Sequence, residues 1–118
     1  MSWTDYRDAP APGTVLARAS DVPVGGTKTL TLGAFPVLLA RGDAGLRAFV
    51  NACPHQFLPL DHKGDRLMSA DGAVLRCTNH SAGFDAATGE GREGLGLGCA
   101  LEAIPVAEED GEIRVAAP

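Results

Sequence analysis

Two short runs, Cys53-Pro54-His55 and Cys77-Thr78-Asn79-His80, constrain this chain more than any other feature, and 21 residues separate them. Each brings a thiol and an imidazole together across a tight turn, and two Cys with two His make a four-ligand metal site. The run Leu46-Arg47-Ala48-Phe49-Val50-Asn51-Ala52 has the composition of a strand and leads directly into Cys53. A second strand follows the Asp71-Gly72 turn and ends on Cys77. Two such strands side by side would present both ligand loops at one end of a sheet.

The donor set by itself admits zinc, since Cys2His2 suits a tetrahedral ion and needs no inorganic sulfide. C-x-H is tighter than the two to four residues that normally separate paired zinc ligands. A Cys–His nucleophile needs only one of each residue, so the doubled set argues against covalent catalysis. His62 sits between Asp61 and Lys63 and reads as a solvated surface histidine. With His55 and His80 used, it cannot complete a second, mononuclear iron site of two His and a carboxylate. Gly94-Leu95-Gly96-Leu97-Gly98 is G-x-G-x-G and lacks the strand-to-helix setting of a dinucleotide fingerprint.

The remaining pattern is all-β. Fifteen Gly and eight Pro in 118 residues suit short strands joined by tight turns, and helix is expected to be minor. Strands are expected over Thr14–Ala19, Thr27–Leu32 and Phe35–Arg41, with Pro36 suggesting that the third begins at a sheet edge. A final hairpin joins Ala103–Glu108 to Glu112–Ala116 through Asp110-Gly111. The length fits one domain, residues 1–118.

Three cysteines imply no disulfide framework. That usage, the absence of a signal-like start and the lack of a long apolar run lead to the expectation of a cytoplasmic protein without a membrane partner. Net charge is −5, with no basic cluster to neutralise phosphates, so nucleic acid is not an expected partner. An acidic protein would be steered toward a basic docking surface.

The ligand runs resemble the Rieske iron–sulfur family, in which two thiolates hold one iron of a [2Fe–2S] cluster and two imidazoles the other. The resemblance continues through Leu58-Pro59-Leu60, through Ala82-Gly83-Phe84-Asp85-Ala86-Ala87-Thr88-Gly89, and into Gly94–Leu101, where the family has a third loop over the cluster. It implies one cluster per chain on Cys53, His55, Cys77 and His80. The cluster-binding loops would span about 53–63, 77–84 and 94–99, inserted in a small antiparallel barrel or sandwich. Phe57, Leu58 and Pro59 suit either core packing or an apolar collar around the sulfurs. Cys99, outside the complete ligand set, reads as a small hydrophobe.

Members of high potential carry a further Cys in each ligand loop, and here Leu58 and Asn79 hold those places. Ala82 and Phe84 stand where such members have the Ser and Tyr hydroxyls that donate to sulfur, and Ser81 stands where the family usually has Gly. The missing donors imply a potential toward the low end of the Rieske range, roughly −150 to +300 mV. The function implied is single-electron transfer by a soluble ferredoxin, with a flavin reductase as donor, an oxygenase as acceptor and no small-molecule substrate. Alternatives are a small subunit of a larger, nitrite-reductase-like enzyme and a zinc-stabilised interaction module.

Overall fold

Residues 3–52, 59–61, 66–78 and 82–117 are described by a computed structural model. Within them the alternating and apolar runs form ten strands. These are β1 (Val15–Arg18), β2 (Thr27–Leu32), β3 (Phe35–Gly42), β4 (Gly45–Val50) and β5 (Val74–Arg76), then β6 (Ala82–Asp85), β7 (Gly91–Gly94), β8 (Ala103–Ile104), β9 (Val106–Glu109) and β10 (Glu112–Val115). Among the described residues helix is confined to two short 3-10 turns, Trp3–Asp5 and Ala19–Asp21. The fold is the all-β, antiparallel one expected from the sequence.

The strands form three antiparallel sheets, ordered β1-β10-β9, β2-β3-β4-β8 and β5-β6-β7. β3 shows why its run is almost continuously apolar: both of its faces are buried. Phe35, Val37 and Leu39 pack with Leu16, Ile113 and Val115 of the first sheet, whereas Leu38 and Ala40 pack with Leu75 and Phe84 of the third. The four-stranded sheet is therefore the middle layer. A strand buried on one face alone would read as alternating.

β4 and β8 are neighbours, with Ala48 opposite Ile104 and Phe49 opposite Ala103, and the Val50 N–H donates to the Glu102 carbonyl at 2.9 Å. Residues 51–102 are thus an insertion between adjacent strands, and they contain all four named ligands. The inserted sheet meets the middle layer at a crossing of two glycines. A Cβ on Gly42 would lie 2.3 Å from the Gly72 carbonyl oxygen, which accepts the Asp43 N–H at 2.9 Å.

Three expectations change. β4 and β5 lie in different sheets, so the ligand segments are not delivered by neighbouring strands. Pro36 lies inside the middle sheet, opposite Thr31, because its missing N–H faces the point where the β4 ladder stops; its carbonyl still accepts the Asn51 N–H at 3.1 Å. The segment Ala103–Glu108 is two strands, since Pro105 breaks it and sends β8 to the middle sheet and β9 to the first. Only β9 and β10 form the Asp110-Gly111 hairpin, with both turn residues at positive φ, 53° and 78°.

Candidate metal centre

β5 is short but firmly launched. The Ser69 hydroxyl and the Ala73 N–H both donate to Asp71 Oδ1, at 2.6 and 3.1 Å, and the Val74 N–H donates to Ser69 Oγ at 3.0 Å. Gly72 takes the positive φ of 73° that this turn requires. The strand then leads into Cys77, whose N–H donates to the Ala82 carbonyl at 3.0 Å across the mouth of the second ligand segment.

Cys77 is 5% exposed and packs among Leu60, Leu67, Leu75, Ala82, Phe84 and Leu101. A thiol so placed is shielded from bulk water by apolar side chains, a setting that limits solvent access to a metal-bound sulfur. The other three named ligands, Cys53, His55 and His80, lie outside the described residues, as do Phe57, Leu58, His62, Asn79 and Ser81. Among the described residues no three potential metal-ligating side chains therefore come together.

The segments flanking the ligands are brought together nonetheless. The Leu60 carbonyl accepts both the Thr78 N–H, at 2.9 Å, and the Thr78 hydroxyl, at 2.7 Å. That joins the exit of the first ligand segment to the residue after Cys77. On its other side the Leu60 N–H donates to Asn51 Oδ1 at 2.9 Å, while Asn51 Nδ2 donates to Asp61 Oδ1 at 3.1 Å. Asp61 Oδ2 in turn accepts the Thr29 hydroxyl of β2 at 2.9 Å. None of Asn51, Asp61, Thr29 or Thr78 stood out as functional in the sequence; an Asn between Val50 and Ala52 at the end of an apolar strand was the one available signal.

Residues 66–71, ahead of β5, contribute to the core and to the third sheet. Leu67 is 2% exposed, and the Arg76 N–H donates to its carbonyl at 2.7 Å, extending the third sheet. The third loop folds back on β6 and β7. A Cβ on Gly91 would lie 1.6 Å from the Gly96 carbonyl oxygen, and one on Gly96 would lie 2.7 Å from that of Gly83. Beside it, Arg76 forms a two-pronged ion pair with Glu93, at 2.9 and 3.2 Å, and holds that carboxyl below its ordinary range. Leu95 and Leu97 are exposed on this loop, whereas Cys99 is partly buried against the Cys77 core. Ala82 and Phe84 are buried beside Cys77 and bring no hydroxyl to it.

Two thiols and two imidazoles are the donors a Rieske-type cluster takes, and the described thiol sits in a dry wall between tied ligand segments. The residues fit the group.

A family model described as "Rieske [2Fe-2S] domain" matches residues 13–105. A search of curated proteins finds no match. Among solved structures, the ferredoxin of carbazole 1,9a-dioxygenase from Nocardioides aromaticivorans IC177 superposes with a TM-score of 0.74 at 21% identity, over 92% of this chain and 100% of that one. The Sphingomonas yanoikuyae B1 ferredoxin gives 0.72 at 21% identity, over 90% and 99%. A chain from a complex of reduced oxygenase and oxidized ferredoxin in carbazole 1,9a-dioxygenase gives 0.71 at 25% identity, over 87% and 91%. With a family match over most of its length and a fold shared with ferredoxins, the chain belongs to the Rieske [2Fe–2S] family, whose cofactor is one [2Fe–2S] cluster per chain.

Proposed function

We propose that this protein is a single-electron carrier, the ferredoxin component that takes electrons from a flavin reductase and delivers them to an oxygenase. The observation that carries the reading is the family match over residues 13–105, which encloses a complete set of two Cys and two His. Cys53 and Cys77 hold one iron, and His55 and His80 hold the other. The bound cluster supplies one-electron redox chemistry.

The chain's own residues do the rest. Leu60, Phe84 and Leu101 keep water from the Cys77 side of the centre, which limits solvent access to the sulfurs. Ala82 and Phe84 withhold hydroxyl donors, which leaves added negative charge less stabilised and favours a low potential. Similarity to ferredoxins named for carbazole 1,9a-dioxygenase supports an oxygenase as acceptor.

The test is direct. Protein purified without oxygen is assayed for iron and acid-labile sulfide, and its visible and reduced-state paramagnetic resonance spectra are recorded. The expected result is a coloured protein with iron and sulfide in equal amounts and the low average g of histidine-ligated clusters. A colourless protein holding zinc ends the reading. Anaerobic mixing then asks whether a flavin reductase reduces the protein and a Rieske-type oxygenase reoxidises it. Failure of that exchange with intact cluster would remove the reductase-to-oxygenase role alone.

A further inference from the structure

Asn51 is the one buried polar or charged residue among the described residues, at 5% exposure. Burying an amide is unfavourable unless each of its groups finds a partner. Here each does: Oδ1 accepts from the Leu60 N–H, and Nδ2 donates to Asp61. The orientation is fixed by chemistry, because a peptide N–H requires the oxygen and a carboxylate requires the amino group.

These bonds lie where they bear on the centre. Asn51 stands two residues before Cys53, and Leu60 and Asp61 lie in the later part of the first ligand loop, so the amide closes a loop whose ends are nine residues apart. On the other side of the same residue, the Leu60 carbonyl is gripped by Thr78, next to Cys77. Asp61 is anchored to β2 through Thr29. A continuous path of bonded groups therefore runs from the end of β4 through Asn51 and Leu60 to Thr78, by-passing the ligands themselves. Packing alone would be served by an apolar residue here, as at Val50. A polar network centred on a buried, hydrogen-bonded amide instead fixes one geometry.

We propose that Asn51 is a positioning residue of the centre: by holding the N–H of Leu60, whose carbonyl Thr78 holds, it sets the distance between the two ligand segments. It acts through Leu60 and Asp61 and touches no iron. The inference rests on the cluster assignment of the preceding subsection.

The experiment uses the full-length holoprotein and three variants, Asn51→Asp, Asp61→Asn and the double exchange. Asn51→Asp keeps an oxygen for the Leu60 N–H but sets two carboxylates against each other. The double exchange restores one amide and one carboxylate, with the parent's charge. Iron release to a chelator and the g values of the reduced cluster are measured, with thermal unfolding of the iron-free protein alongside. Expected are release on the order of tenfold faster and shifted g values in Asn51→Asp, with recovery to within about twofold in the double exchange. Should Asn51→Asp not accumulate, recovery of a loaded protein by the added Asp61→Asn supports the proposal, and its failure overturns it. Release that merely follows the unfolding temperature, with g values unchanged, shows a structural role and overturns it. A parent without iron and sulfide overturns the cluster assignment and this inference together; a loaded parent with indifferent variants overturns this inference alone.

Discussion

At the scale of single residues, the chemistry of the centre turns on what surrounds Cys77. Ala82 is 3% exposed, and its carbonyl already accepts the Cys77 N–H, so the position is close to the sulfur and dry. A hydroxyl there would donate to a sulfur that becomes more negative on reduction. Hydrogen bonds to charged groups contribute about 1.5–3 kcal/mol, and the part that differs between the two oxidation states appears in the potential. Ala82→Ser is therefore expected to raise the reduction potential by on the order of 50–100 mV, at about 59 mV per tenfold for one electron. Voltammetry that finds it unchanged or lower places Ala82 away from the cluster sulfurs.

At the scale of elements, the turn before β5 and the loop after β7 each hold one side of the site. Asp71 is held below its ordinary pKa of 3.8, first by the Ser69 hydroxyl and then by the Ala73 N–H. A carboxyl lowered by folding contributes stability that is present above its unfolded value and is lost as pH falls through the folded value. Asp71→Asn should therefore lower stability near neutrality and flatten its decline below about pH 4. Denaturant midpoints with the parent's acid limb would contradict this. On the other side, Gly91 lets the third loop close against β7, and a methyl group cannot enter that contact without moving the Gly96 peptide. Gly91→Ala should destabilise the protein by at least about 2 kcal/mol, read from chemical unfolding.

At the scale of the molecule, a middle sheet divides two cores of different duty. One contains Trp3, Leu16, Phe35 and Ile113 and, among the described residues, no named ligand; the other contains Cys77 with Leu60, Leu75 and Phe84. Metal binding contributes to folding free energy where its ligands are part of the core. Removing iron should lower the unfolding temperature and raise amide exchange in β5, β6 and β7 well before it does so in β1, β9 and β10. Uniform loss of protection across all three sheets would show that the layers do not open separately.

How much was legible varies by residue, and for physical reasons. The β2–β3 hairpin could be read almost to its ends, because Thr27–Leu32 and the apolar run after Phe35 carry strand composition bounded by turn residues. Strand partners could not. Pro36 marks a missing donor but not which neighbour that donor would have faced, and Pro105 breaks a run without saying that its halves go to different sheets. The N-terminal Trp3, buried against Phe35 with ring centroids 6.4 Å apart, carries no periodic signal in so short a turn.

By itself the sequence determined the all-β class, the turns and the two Cys-His runs proposed as the donor set, since each depends on residue type and local spacing. Only the tertiary structure decided that the ligand-bearing strands lie in separate sheets and that Asn51, Leu60 and Thr78 join their loops. Hydrogen bonds between residues far apart in the chain leave no local pattern, and the fold alone brings those partners within reach.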